Sequence, residues 1–154
     1  MPNLYPEGYE NDVITEKDLA SEKTVGYRNG IAFDNEIGDF KRDGMNKILD
    51  SDGIQSWKDW CINCLQTERY KHLAYSTDFG IEIEAAMRAT SQEEAEAILT
   101  RQITEALMAD PDERTDYVSD ITYDWTAPDT VAVNVTIHGA TDVTIDITAY
   151  LTRY

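Results

Sequence analysis

The sequence predicts an α+β fold in which antiparallel strands pack against one long helix and one or two shorter helices, behind an extended N-terminal arm. Three observations predict it. From Ile121 onward, apolar and polar residues alternate through successive runs: Ile121, Tyr123, Trp125; then Val131, Val133, Val135, Ile137; then Val143, Ile145, Ile147. That period of two belongs to an antiparallel sheet with one face buried and one wet. Between about 53 and 109 the apolar residues instead recur at helical spacing. Strands and helices are thus segregated along the chain rather than alternating, which argues for α+β.

Residues 1–22 hold mixed charge, two prolines and one glycine without a sustained period, and read as the arm; 23–154 read as one folded domain. After the arm, Asn29-Gly30 stands between Val25/Tyr27 and Ile31/Phe33, the pattern of a tight hairpin whose turn residues need positive φ. Asp43-Gly44 repeats the device. The first helix spans about 53–67, with Asp52 as cap, Gln55 completing a capping box, and Ile54, Trp57, Trp60, Cys61, Cys64 and Leu65 on one stripe. A short helix containing Ile83, Ala86 and Met87 ends near Thr90. The clearest helix follows, opened by the Ser91/Glu94 box, with Ala95, Ile98, Leu99, Ile103, Ala106 and Leu107 inward and Pro111 as its stop. Turns at Ala127-Pro128-Asp129 and at His138–Asp142 separate the three strands.

Composition bounds the function. The chain has 154 residues, enough to bury a core without disulfides, and 42% are hydrophobic. Thirty acidic against thirteen basic residues give a net charge of −17. That field repels phosphate backbones and anionic lipid, so neither nucleic acid nor a membrane is an expected partner. The first dozen residues lack the basic start and apolar centre of a signal peptide.

No constellation of catalytic residues stands out. Trp60-Cys61-Ile62-Asn63-Cys64 matches W-C-x-x-C, but a redox cysteine sits at a helix N-terminus, where the dipole lowers its pKa. Here cap and stripe begin about two turns upstream, so both thiols fall mid-helix as packing residues. His72 and His138 have no ligand-like spacing to them, and no metal or cofactor is expected. Glu68 and Asp78 could form a carboxylate pair for glycoside hydrolysis, but Arg69 beside Glu68 favours its ionised form. Tyr70, Tyr75, Phe79 and Trp125 suggest a contact surface, since aromatics collect where an interface buries an apolar face and keeps a polar tip wet.

The order of motifs resembles the baseplate wedge family of contractile phage tails, also called sheath initiators, and in particular its XkdS-like branch. The resemblance runs from about Lys23 to the C-terminus. It is carried by the strands ending in Ile48-Leu49-Asp50, the helix GIQSWKDWCINCL, Thr67-Glu68-Arg69-Tyr70, Tyr75-Ser76, Asp78-Phe79-Gly80, a long helix ending at Ala106 to Pro111, and the terminal meander. The family ends its long helix with an acidic-Pro-Arg triplet. Here Asp112 follows Asp110-Pro111 and the arginine stands at Arg114, so either two residues are inserted or the arginine's contact is lost. The resemblance implies a non-enzymatic structural component made in a bacterial host's cytoplasm and built, in several copies, into the tail baseplate of a virion or tail-like particle. Its implied partners are larger wedge proteins and the sheath protein, with tail tube or hub as further neighbours. It implies partner contacts at Thr67, Glu68, Arg69, Tyr70, Tyr75, Asp78, Phe79, Gly80, Asp110, Pro111 and Arg114. In the sheaths of related machines, neighbours are linked by exchanged strands. Two alternatives remain: a small peptidoglycan-cleaving, lysozyme-like enzyme using Glu68, and the equivalent adaptor of a non-phage contractile injection system.

Overall fold

A computed structural model describes residues 26–153, so the arm expected over 1–22 lies outside the described residues. The elements, in chain order, are β1 (Gly30–Ile31), β2 (Phe33–Asp34), β3 (Asp39–Phe40), β4 (Asp50–Ser51), α1 (Gly53–Gln66), α2 (Ile83–Met87), α3 (Gln92–Met108), β5 (Thr115–Ala127), β6 (Thr130–Gly139) and β7 (Thr144–Thr152). The last three form an antiparallel sheet in the order β5-β6-β7. Its inner face presents Val131, Val133, Val135 and Ile137 from β6 and Ile145, Ile147, Ala149 and Leu151 from β7, all buried. Helix α1 lies over β7 and α3 over β5. Trp57, Cys61, Cys64 and Leu65 of α1 meet Leu99, Ile103, Ala106 and Leu107 of α3 in that core. The fold is α+β, as the periodicities require.

Helix starts follow local chemistry. Asp52 accepts the Gln55 N–H at 2.8 Å, but Gln55 does not complete a box, because its amide donates instead to Asp59 at 2.8 Å. Ser91 accepts the Glu94 N–H at 3.2 Å and Glu94 accepts the Thr90 N–H at 2.9 Å, a near-reciprocal box. Ile54, expected on the inward stripe, lies 42% exposed on a flank of α1. Gln102, which the stripe omitted, is buried on α3.

Residues 30–51 make a small third layer on the side of α1 that faces away from the sheet. Contrary to expectation, Asn29-Gly30 is no hairpin turn. Gly30 belongs to β1 and pairs with Ser51, while β2 pairs with β3. What Gly30 supplies is close approach, since a Cβ there would lie 2.6 Å from the Ser56 hydroxyl of α1. Three strand segments close on one another through Ala32 N–H to Leu49 O (2.9 Å), Leu49 N–H to Lys41 O (2.9 Å) and Lys41 N–H to Ala32 O (2.8 Å). The turn expected at Asp43-Gly44 forms as a longer loop. Asp43 accepts the Met45 and Lys47 N–H groups, and Asn46 rather than Gly44 takes the left-handed conformation. Asn35 donates to Asp59 at 3.2 Å and ties this layer to α1.

Strand β5 begins at Thr115 rather than Ile121, and β6 runs on through His138 to Gly139. The alternation is broken there by register shifts in β5, at 115/117 and 118/121 as well as 125/127. The outer face of the sheet is a polar ladder: Thr136 donates to Asp146 (2.6 Å), Thr148 donates to Asn134 (2.7 Å), and His138 stacks on Tyr117 at 4.2 Å.

Candidate interaction site

The segment joining α1 to α2 is held by backbone groups that have no helix or sheet to satisfy them. Thr67 ends α1, donating its hydroxyl to Asn63 O at 2.6 Å. Ile81 N–H then donates to Thr67 O and Arg69 N–H to Ile81 O, both at 3.0 Å, so the chain returns to its own starting point after an eleven-residue excursion over 70–80. Gly80 closes the loop at φ +91°, where an added Cβ would lie 2.6 Å from Thr67 O. Arg69 locks it, donating Nε–H to Gly80 O at 2.9 Å. Its guanidinium also stands 4.0 Å from Glu105 of α3.

Glu68 serves the next element. Its Oε2 accepts the Ile83 N–H at 3.0 Å and the Glu84 N–H at 3.4 Å, capping a helix whose own N-cap residue, Glu82, makes no side-chain cap. Burial raises the Glu68 pKa, and the two backbone N–H bonds offset only part of that shift. Glu82 is held from the other side by Gln102, which accepts its N–H at 2.7 Å and donates to its carboxylate at 3.2 Å. A lone glutamine between apolar helix positions carries no signal of this in the sequence.

Asp110 and Arg114 form a second lock after α3. The guanidinium bonds the carboxylate at both ends, Nε to Oδ2 at 2.7 Å and Nη2 to Oδ1 at 2.9 Å, with the pair almost wholly buried. The intervening turn runs through exposed Pro111 and Asp112 and through Glu113 at φ 54°. Arginine and acid therefore meet despite their altered spacing. Burial pulls the guanidinium pKa down, but the hydrogen bonds and charge of Asp110 outweigh it and the shift is upward. The Arg114 guanidinium also stands 5.6 Å over the Trp60 ring, so the lock reaches the outer side of α1.

There it meets an aromatic groove of about 540 Å³ between the outer layer, α1 and the 70–80 loop, lined by Phe33, Phe40, Trp60, Tyr75 and Phe79. Phe79 packs on Tyr75 at 4.6 Å and edge-on to Trp60 at 5.8 Å, and Phe33 packs edge-on to Phe40 at 5.6 Å. The structure thus brings Phe79 and Tyr75 together with aromatics that the motif reading left out. Tyr70 (φ 67°) and Asp78 stay exposed beside them. Trp125 lies elsewhere, donating to Glu96 of α3 at 2.8 Å. A cleft of about 180 Å³ beside Glu68 is lined by Lys71, His72, Glu84 and Thr152 among others, and Asp78 is not among its residues.

The third feature is a sheet edge. Arg153 N–H bonds Asp129 O at one end of β7, and Gly139 N–H bonds Val143 O at the other. The register with β6 is unbroken between them. Odd-numbered residues of β7 therefore bond inward to β6, and Thr144, Asp146, Thr148, Tyr150 and Thr152 direct their N–H and C=O groups outward. Among the described residues no strand pairs with that side.

Buried cysteines complete the chemistry. Burial pushes the Cys61 thiol pKa far up and the Cys64 pKa up to about 11, and Cys64 Sγ accepts the Gly80 N–H at 3.5 Å. Among the described residues no three His, Cys, Asp or Glu side chains converge as metal ligands would.

A family model described as contractile injection system sheath initiator matches residues 29–142. The chain belongs to this family. No curated protein sequence matches it. Membership makes this sheath initiator a structural component of a contractile tail particle, acting with sheath and baseplate components. The matched span takes in the corner at Glu68 and Arg69, the groove aromatics and the Asp110–Arg114 pair, and stops just short of β7. No helix among the described residues is long and apolar enough to cross a membrane.

Proposed function

We propose that the protein is a non-enzymatic baseplate component that joins wedge subunits to the first ring of sheath subunits, using two separate faces. The observation that carries this reading is the open, regular edge of β7. A strand edge of nine residues with outward N–H and C=O groups is a template for another chain's strand. The opposite edge is a poorer one, because the register of β5 with β6 shifts at three places. The aromatic groove is the second face and suits the wedge: exposed aromatics flanked by polar side chains are what protein interfaces bury. On this reading Glu68, Arg69 and Gly80 shape the groove's loop, Tyr75 and Phe79 touch the partner, and the Asp110–Arg114 pair holds Trp60 in place. The same two faces would serve a phage tail or another contractile injection device. Residues 1–22 are the arm and 23–154 the wedge domain in this proposal.

The test is a pull-down of tagged protein from cells expressing the surrounding gene cluster, read by mass spectrometry. The parent should recover sheath and a large wedge protein. Thr148→Pro removes an outward N–H and leaves the backbone bonds to β6 intact, losing only the side-chain bond to Asn134, at a position where an edge strand tolerates proline. It should lose the sheath and keep the wedge, and Tyr75→Ala with Phe79→Ala should do the reverse. Recovery of the parent alone from cells that assemble tails would refute the role. Clearing of cell walls by the pure protein, lost in Glu68→Gln, would replace it with the peptidoglycan-cleaving reading.

A further inference from the structure

We infer that the β7 edge selects a strand of one pattern: apolar residues facing the helices, and basic or hydroxyl residues facing solvent. The inference rests on the strand-addition reading above and adds what the incoming segment must be made of. Its first support is the flank of α1. The opposite flank faces α3: Cys64 Sγ lies 4.0 Å from Ala106 O of α3, and Trp60 lies under Arg114. With α3 over β5 and α1 over β7, the flank turned away from α3 overhangs the open edge. That flank carries Ile54, Lys58 and Ile62, spaced four apart on one stripe. Ile54 is 42% exposed, and Lys58 and Ile62 are half-buried. A strand laid beside β7 would continue the buried row of Ile145, Ile147, Ala149 and Leu151 with its own inward side chains, beneath Ile54 and Ile62. An alternating strand with valine- or isoleucine-like residues inward fills that space; a strand with polar residues inward leaves them without partners.

The second support is charge. Residues 91–154, which build the sheet and α3, hold thirteen acidic and three basic side chains. Along β7 itself, Asp142 precedes the strand and Asp146 projects from its outer face, and the cleft that Thr152 shares at its far end holds Glu68 and Glu84 against the single lysine Lys71, with His72 beside them. Outward lysines or arginines on the incoming strand would lie among these carboxylates, whereas outward acids would meet like charge. The same argument disfavours this chain's own N-terminal stretch as the occupant, because residues 1–25 carry six acidic and two basic residues.

The probes are nine-residue peptides titrated into the full chain and read by fluorescence anisotropy. One alternates Val and Lys, one alternates Val and Glu, and a third is the Val/Lys peptide N-methylated on one backbone edge, with charge unchanged but pairing blocked. The fourth is residues 1–25 of this chain. Several cross-strand pairs together amount to about tenfold or more in affinity, so the Val/Lys peptide should bind at least that much tighter than the other three. Ile54→Ser should weaken it several-fold. Asp146→Lys should narrow the gap between the Val/Lys and Val/Glu peptides. Thr148→Pro should abolish binding, while Thr148→Ala, which loses the bond to Asn134 but keeps the N–H, should not. No binding, equal binding of the N-methylated or Val/Glu peptide, or indifference to both Ile54→Ser and Asp146→Lys would overturn the inference. If Thr148→Pro still removes sheath from the particle in that case, the edge reading stands and only the pattern fails; if it does not, the edge reading falls with it.

Discussion

The two ends of the described chain handle apolar surface in opposite ways. From Gln92 to Arg153 the inward positions of α3, β6 and β7 are buried almost without exception, and the polar residues form ladders on the far face. From Gly30 to Ser51, by contrast, Ile31, Ile37, Phe40, Met45, Ile48 and Leu49 are all exposed. Charge divides in the same sense: residues 26–49 carry four acidic and four basic side chains, whereas 91–154 are strongly acidic. A soluble monomer gains nothing from gathering exposed apolar residues in its least charged segment, since charge is what discourages association there. The difference teaches that the sheet and α3, closed by the inner face of α1, form the scaffold, while the outer layer presents apolar surface that the role proposed above gives to a partner.

That contrast breaks most sharply at Arg114. Truncating Arg114→Ala would leave the Asp110 carboxylate buried without its partner, which costs about 3–5 kcal/mol. Urea unfolding should show that loss as a lower midpoint with an unchanged slope, and replacing both members with apolar residues of similar size should recover much of it. Gly80→Ala comes next. Its φ of +91° and the 2.6 Å approach to Thr67 O predict strain of about 1–3 kcal/mol, together with weaker wedge recovery as the 70–80 loop shifts.

Substitutions in the outer layer should behave in the opposite manner. Ile37→Ser and Phe40→Ser remove exposed side chains, so stability should stay within about 0.5 kcal/mol, while wedge recovery in the pull-down drops for Phe40→Ser. A large loss of stability in either variant would mean that this layer belongs to the scaffold after all.

The smallest effect sharpens the corner at Glu68. Its pKa is raised by burial, so in the folded protein its ionisation is disfavoured, and its contribution to stability falls as pH rises from below its unfolded value through the folded one. Glu68→Gln keeps an oxygen for the Ile83 and Glu84 N–H groups and removes the charge. The variant should gain stability relative to the parent between pH 4 and pH 7, as thermal unfolding at each pH would show; a constant difference across that range would place the raised pKa elsewhere.

Sequence periodicity carried the scaffold because it reports on burial directly. Alternation at Val131 to Ile137 and helical spacing at Ala95 to Leu107 each need only one buried face, and capping at Asp52 and Ser91 is a local bond between neighbours. The corner was legible to the extent that Glu68, Arg69 and Gly80 stood out as a group, but the bonds of Glu68 to the Ile83 and Glu84 N–H groups, of Arg69 to Gly80 O and of Ile81 to Thr67 O join residues eleven to sixteen positions apart. Only the tertiary structure decided that Gly30 is a strand residue pressed on Ser56 rather than a turn, that Arg114 reaches Asp110 across an altered spacing, and that Phe33 and Phe40 share a groove with Phe79. It also left Ile54 exposed on a flank of α1 and, among the described residues, β7 without an outer neighbour. The physical reason is the same in each case: a period says which face of an element is apolar, whereas what covers that face, or fails to, depends on where the other elements come to lie.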